Sequence, residues 1–73
     1  MSHLLDIKSK LEINLKTCEY QIYELKDTLT FLIAKNPYST EVEETKKEIS
    51  YEVGRAASLR ETLQIIEKVL NSK

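Results

Sequence analysis

Two side chains in the sequence could act as a nucleophile and a base, namely Cys18 and His3. A thiol becomes a catalytic nucleophile when a base lies within hydrogen-bonding reach. The two residues are fifteen positions apart, which on a helix corresponds to roughly 22 Å, so they cannot meet within one chain. One cysteine and one histidine are also too few ligands for a tetrahedral zinc site. The sequence therefore predicts a protein that is not an enzyme and has no catalytic residue, metal or other cofactor.

Apolar side chains recur on what would be the outer face of a first helix. At 100° per residue they fall within an arc of about 80°. Tyrosine combines a broad contact surface with a polar tip and is enriched at binding hot spots. We interpret this aromatic stripe either as a surface between copies of the chain or as a binding site for another protein. Scattered surface residues that need no explanation are a third interpretation. The stripe consists of Ile13, Tyr20, Tyr23, Phe31 and Ala34.

Acidic residues follow the start of a second predicted helix, where Glu41, Glu44 and Glu48 form an acidic edge that Glu52 would extend. The helix dipole favours acids in the first turn, but Glu48 lies beyond it. Such an edge can imitate a phosphate backbone and occupy a basic groove on another protein. Together with the aromatic stripe and the turn, it supplies the predicted partner-binding residues. These are Tyr20, Tyr23, Phe31, Tyr38, Glu41, Glu44 and Glu48.

The favoured function is that of a small helical protein that binds a larger protein and regulates or inhibits it. A narrower hypothesis is a phage- or bacterium-encoded inhibitor of a replication or transcription protein, acting partly through the acidic edge. A first alternative is a nucleic-acid-binding hairpin dimer that uses Lys10, Lys16, Arg55 and Arg60. A net charge of −1, from 11 basic and 12 acidic residues, disfavours that alternative because phosphate binding needs a positive face. A second alternative is a structural subunit that assembles with itself.

A single strong break divides the chain, the sequence KNPYST at 35–40. Asn36 tolerates a left-handed conformation at a helix end, and Pro37 disfavours helix in the residue before it. Thr40 can cap the next helix and Glu43 can complete a capping box, with Ser39 as the competing cap. The sequence thus predicts helices over about 2–35 and 40–71.

Both predicted helices carry a seven-residue repeat of apolar residues in alternating steps of three and four, which is typical of a coiled-coil seam. Met1 would begin the first column, and Val42 and Thr45 would begin the two columns of the second helix. Lys8 and Glu52 are polar members of these columns. The predicted apolar seam consists of Leu4, Leu11, Leu15, Cys18, Ile22, Leu25, Leu29, Ile49, Ala56, Leu59, Leu63, Ile66 and Leu70.

A short turn between two such helices predicts an antiparallel hairpin, an all-α single domain that spans 1–73. Reflecting the chain about the turn pairs residues across the hairpin. Lys8 then falls beside Glu67. The apolar pairs are Leu25 with Ile49, Cys18 with Ala56–Ala57, Leu11 with Leu63–Gln64, and Leu4 with Leu70.

Polar residues in a seam commonly fix register. For Lys8 the alternative is a side chain that reaches out to solvent. For Glu52 the alternative is that its neighbour Val53 takes the core position.

A chain of 73 residues buries only roughly 60% of its unfolded surface, so it needs a further source of stability. One cysteine cannot form an internal disulfide, which leaves self-association. We expect a homodimeric four-helix bundle or a coiled-coil oligomer, with the hairpins parallel or antiparallel. Small residues near mid-length, Cys18, Gly54, Ala56 and Ala57, would allow a close approach between helices.

Two further features concern the compartment. The longest strongly apolar run, FLIA at 31–34, is far shorter than a membrane span. The first residues, MSHLLDIKSK, lack the apolar core of a secretory signal. With a free thiol, these features predict a cytoplasmic protein that does not contact a membrane.

Overall fold

The computed structural model describes residues 2–72, and it contains two α-helices that pack against each other as an antiparallel hairpin. Helix α1 spans Ser2–Lys35 and helix α2 spans Thr40–Asn71. The hairpin is a rod with Cα extents of 54 × 14 × 13 Å. The predicted all-α hairpin and the bounds of its helices are confirmed. Met1, predicted to begin a seam column, lies outside the described residues.

Packing, more than intrinsic preference, accounts for helices of this length. Helix α1 contains neither glycine nor proline, and helix α2 contains a single glycine. Good helix formers make a long helix possible, but in water most of its stability comes from burying one apolar face. Within residues 2–72, neither helix has a stretch that is long and apolar enough to cross a membrane.

The seven-residue repeat correctly predicts which residues are buried in both helices. From His3 onward, each seam position of the two helices is buried or half-buried, and each other helical residue is exposed. The deepest side chains are Cys18, Val42 and Ala56. Thr45 is a buried polar seam residue, and its hydroxyl donates to the Glu41 carbonyl at 2.8 Å. One continuous seam therefore forms the whole core of the hairpin.

Burial along the seam is unequal between the two helices. Five seam residues of α2 are buried, whereas in α1 only Cys18 is buried and its other described seam residues are half-buried. The leucines of α1 pack on the buried residues of α2, while the outer edges of those leucines remain in contact with solvent. The hairpin thus leaves part of its own core open at the sides.

The turn between the helices is a β-turn over residues 36–39. The Asn36 amide completes the last turn of α1 by donating to the Leu32 carbonyl at 2.8 Å, and the Ser39 amide donates to the Asn36 carbonyl at 3.2 Å. The Asn36 side chain accepts from the Tyr38 amide at 3.2 Å. None of the described residues has a positive φ. Asn36 therefore does not adopt the left-handed conformation that it tolerates, because a β-turn with Pro37 at its second position can form without a positive φ.

Helix α2 begins with Ser39 as its N-cap, not Thr40. Ser39 has extended backbone angles (φ −74°, ψ 154°), and its hydroxyl accepts from the Val42 amide at 3.3 Å. Thr40 is the first helical residue, so the predicted capping box of Thr40 and Glu43 does not form. The β-turn delivers Ser39 in the extended conformation that a cap requires, and this start places Val42 in the seam.

The small residues near mid-length do not act together. Cys18 and Ala56 are buried in the contact between the helices, but Gly54 and Ala57 are exposed. A Cβ atom built on Gly54 would have no heavy atom within 4 Å outside its own helix turn. Gly54 therefore plays no part in the close approach of α1 and α2.

Replacing Ser39 with alanine removes the hydroxyl that accepts from Val42, and it should lower the free energy of unfolding by about 1 kcal/mol. Thr40→Ala is the matched control and should change it by less than about 0.5 kcal/mol. Urea denaturation at one fixed protein concentration measures both variants. A larger loss for Thr40→Ala would contradict the assignment of the cap.

Replacing Gly54 with alanine should raise the free energy of unfolding by about 0.5–1 kcal/mol, because alanine is the better helix former and its methyl group meets open space. The reverse change at the exposed Ala57, Ala57→Gly, should lower it by a similar amount. Thermal denaturation followed by circular dichroism measures both. A loss of stability in Gly54→Ala would show that another surface packs closely there.

Candidate functional site

A polar cluster interrupts the apolar seam at mid-length. The Cys18 Sγ atom lies 3.1 Å from the Glu52 carbonyl oxygen and 3.1 Å from its Oε1 atom. A thiol has one hydrogen, so it donates to one of these oxygens at a time. The Arg55 guanidinium lies 3.3 Å from the same Oε1 atom. The side chain of Glu52 is only 14% exposed, so its charge has two partners at a largely buried position.

Glu52 retains its seam position, and the alternative that Val53 replaces it is wrong, because Val53 is exposed. A carboxylate is tolerated there since the facing residue is a hydrogen-bond donor and an arginine follows three residues later. The cluster joins Cys18 to Glu52 across the two helices, at the level that the sequence assigned to Ala56. It thereby ties the register of the hairpin to one polar contact.

The thiol of Cys18 is poorly suited to nucleophilic chemistry. Burial raises the pKa of the Cys18 thiol above its ordinary value, and the hydrogen bond to Glu52 raises this pKa further. The reactive species is the thiolate, which this environment disfavours. His3 is exposed and lies fifteen positions away on the same helix, so the structure does not bring the two candidate residues together.

Lys8, the other polar seam residue, is half-buried. Glu67, predicted to lie beside it, is exposed, and within residues 2–72 the two do not form an ion pair within 4 Å.

The aromatic stripe lies on the outside of α1, away from the seam. Tyr20 and Tyr23 are 63% and 71% exposed, and Ile13 and Phe31 are exposed to a similar extent. The Lys35 ammonium group lies 5.8 Å from the centre of the Phe31 ring. Tyr38, in the turn, is 94% exposed. Helix α2 therefore covers none of the aromatic residues that we predicted to contact a partner.

The acidic edge is exposed at Glu41, Glu44 and Glu48, whereas Glu52 belongs to the seam. Glu48 lines an open groove of about 310 Å³ between the two helices. The groove brings in Glu24 of α1, which sequence reasoning missed, although the predicted register places that residue opposite Glu48 and Glu52. Its lining consists of Gln21, Glu24, Leu25, Thr28, Glu48 and Glu52.

The basic residues that we predicted to bind nucleic acid lie among acidic residues. Arg60 lies 2.8 Å from Glu19 across the hairpin, and Arg55 pairs with Glu52. Lys16 lines a second groove whose other lining residues include three glutamates, one of which is Glu19. Two of the four candidate cations are thus bound to carboxylates, and the structure brings them into no common basic face.

The seam has two edges, which we name after the α1 residue at mid-length. The Gln21 flank contains the acidic groove, and the Glu19 flank contains the Arg60–Glu19 pair. Seven-residue spacing extends each flank along the rod. The Gln21 flank consists of Ile7, Asn14, Gln21, Thr28, Lys35, Glu41, Glu48, Arg55, Thr62 and Val69. The Glu19 flank consists of Leu5, Glu12, Glu19, Lys26, Ile33, Lys46, Val53, Arg60 and Glu67.

Residues 2–72 contain no group of three or more side chains that could hold a metal ion. No protein-family model matches the chain, and neither a curated protein nor a solved structure matches it. The arguments about function therefore rest on the surfaces described above.

The raised pKa of Cys18 predicts how stability depends on pH. The folded protein holds the thiol proton more tightly than the unfolded chain, so this stabilisation is complete below the ordinary pKa of 9.0 and is lost as the pH rises through the higher folded value. As the pH rises above 9.0, the wild-type free energy of unfolding should therefore fall more steeply than that of Cys18→Ser. Parallel curves from denaturant titrations would contradict the buried thiol.

Proposed function

We propose that this protein is a non-enzymatic helical hairpin that binds a larger protein through the outer face of α1. The observation that carries this proposal is the exposure of Tyr20 and Tyr23 on a face that α2 leaves uncovered. With Phe31 they leave on the order of 300–500 Å² of aromatic side chain in water. The largest apolar patch on a typical monomer is of this size and often functional. The arrangement supports a docking face.

The tip of the hairpin supports a partner that carries positive charge. Tyr38 projects from the turn, and Glu41, Glu44 and Glu48 follow on the first turns of α2. Acidic side chains at the margin of an aromatic contact accelerate encounter with a basic surface and help to orient it. A protein of replication or transcription, whose basic groove holds nucleic acid, has this chemistry. Blocking that groove would inhibit the replication or transcription protein. We propose that the two proteins meet in the cytoplasm.

The chemistry of the seam supports a role without catalysis. The single thiol is buried with a raised pKa, and the acid beside it is engaged by Arg55 and by the thiol itself. These groups hold the two helices together. The exposed aromatic residues are therefore left to bind another protein.

Replacing both Tyr20 and Tyr23 with alanine should abolish binding of the partner without changing the fold, because neither side chain packs in the hairpin. The variant and the wild type are used as baits in parallel pull-downs from the source cells, with quantitative mass spectrometry. Tyr51→Ala, which removes a comparably exposed tyrosine of α2, is the matched control. A bound protein should be retained by the wild type and the control, and lost with the double variant.

Two results would contradict this proposal. In the first, each captured protein is retained equally by the wild type and by the Tyr20→Ala, Tyr23→Ala variant. In the second, the variant loses helical circular dichroism, which would show that the tyrosines are structural. Capture of nucleic acid that weakens steeply with salt would support the alternative of a nucleic-acid-binding hairpin.

A further inference from the structure

The two flanks of the hairpin differ in charge. Four of the ten positions of the Gln21 flank carry charged side chains, compared with six of nine on the Glu19 flank. The Gln21 flank is uncharged over the half away from the turn, where Ile7 and Val69 are partly exposed. The cores of protein interfaces are depleted in charge. The Gln21 flank is thus the better candidate to cover the open edge of the seam.

The charges that border the Gln21 flank are separated along the rod. Glu24, Glu48 and Glu52 surround the groove in the half nearer the turn. Lys10 borders the same flank in the other half, because it lies four residues before Asn14 on the same side of α1. The half nearer the turn therefore carries net negative charge despite Lys35, and the other half carries the positive charge of Lys10.

The two charged regions are equally far from the middle of the hairpin. Cys18 of α1 and Ala56 of α2 mark the middle, since each lies near the centre of its helix. Lys10 is eight residues from Cys18 toward the free end, and Glu48 is eight residues from Ala56 toward the turn. Each distance is about 12 Å at the helical rise. A twofold axis through the middle, perpendicular to the rod, would bring Lys10 of one copy to the level of Glu48 of the other.

We infer that a second copy of this chain packs on the Gln21 flank in antiparallel orientation, with Lys10 of each copy at the acidic groove of the other. The same symmetry brings Ile7 and Val69 of one copy to the level of Phe31 of the other, so apolar residues also meet. Arg55, near the axis, is already neutralised by Glu52 at 3.3 Å. The result is a four-helix bundle that closes the half-buried leucine edge of α1.

A parallel pairing of the same flanks is disfavoured because it would place each acidic groove against its own copy. Like charges juxtaposed across an interface repel and weaken binding. The available area also suits a dimer. A flank 54 Å long and 14 Å wide covers about 750 Å², close to the ~800 Å² that each partner buries in a standard interface.

This dimer gives the two sides of α1 different roles. Tyr20 lies opposite the seam and Tyr23 lies toward the Glu19 flank, so neither is covered when the Gln21 flank is occupied. Phe31 and Glu48 meet the second copy instead, so in the dimer the other protein is bound through Tyr20, Tyr23 and the exposed Tyr38. The inference does not rest on the proposed binding of another protein. The chain can form this dimer without binding another protein, and it can bind another protein without forming this dimer. Separate experiments therefore distinguish the two failures.

Sedimentation equilibrium with charge-reversal variants tests the pairing. The wild type should have the mass of two chains. Lys10→Glu and Glu48→Lys should each weaken dimerisation about tenfold, since two exposed ion pairs become two repulsive contacts. The combined Lys10→Glu, Glu48→Lys protein should recover the wild-type dissociation constant. Lys26→Glu, on the Glu19 flank, is the matched control and should leave it unchanged.

Cross-linking tests the orientation. Lys10→Cys and Glu48→Cys proteins that differ in mass are mixed and treated with a short bismaleimide, and cross-linked heterodimers should form. Lys10→Cys alone should not cross-link, because the two copies of position 10 are roughly 24 Å apart at the helical rise. The wild type, whose thiol is buried, controls for reaction at Cys18.

The inference would be overturned by a wild-type mass other than that of two chains, or by failure of the combined charge reversal to restore the dimer. Efficient cross-linking of Lys10→Cys to itself would indicate a parallel dimer. Loss of the dimer in the Tyr20→Ala, Tyr23→Ala variant would place the self-interface on the aromatic stripe instead.

Discussion

The structure depends on one constraint, which is that each helix can bury only a single narrow face. Two helices of more than thirty residues have no other core than the seam between them. That requirement selects the hairpin and sets which residues are left outside it. The contact is closed over five seam residues of α2 and open along the edges of the half-buried leucines of α1. The exposed flanks and the aromatic stripe are consequences of this geometry.

The polar cluster at mid-length shows how such a seam accommodates a charge. A largely buried carboxylate is costly unless it is paired and hydrogen-bonded. Glu52 meets both requirements, through Arg55 on its own helix and through the thiol of Cys18 on the other. A shift of one helix by a heptad would separate the thiol from the carboxylate and leave the charge in apolar surroundings. The contact with Glu52, which together with burial raises the pKa of the Cys18 thiol, therefore also helps to hold the register.

Much of the fold could be predicted from the sequence because the seven-residue repeat and the KNPYST break are strong, local signals. The details at the ends of the helices could not. Ser39 and Thr40 are both good caps, and the choice depends on the β-turn and on the burial of Val42. Whether Glu52 or Val53 takes the seam position depends on the residue that faces it across the hairpin. The sequence of one helix does not reveal that residue. Glu24 was missed because the acidic edge was predicted along α2 alone, although the predicted register places Glu24 opposite Glu48. The seven-residue repeat predicts that Tyr20 and Tyr23 are exposed, but it does not indicate which molecule binds them.

We propose a division of surfaces, in which a second copy covers the Gln21 flank while Tyr20 and Tyr23 on the outer face of α1 stay open. Hydroxyl-radical footprinting of the purified protein, read by mass spectrometry, tests this most directly. The account predicts that Tyr20 and Tyr23 are oxidised nearly as fast as in the unfolded chain, as Tyr38 should be. It also predicts that Ile7 and Val69 are protected although the hairpin alone exposes them. Protection of Tyr20 and Tyr23, with free oxidation of Ile7 and Val69, would contradict it.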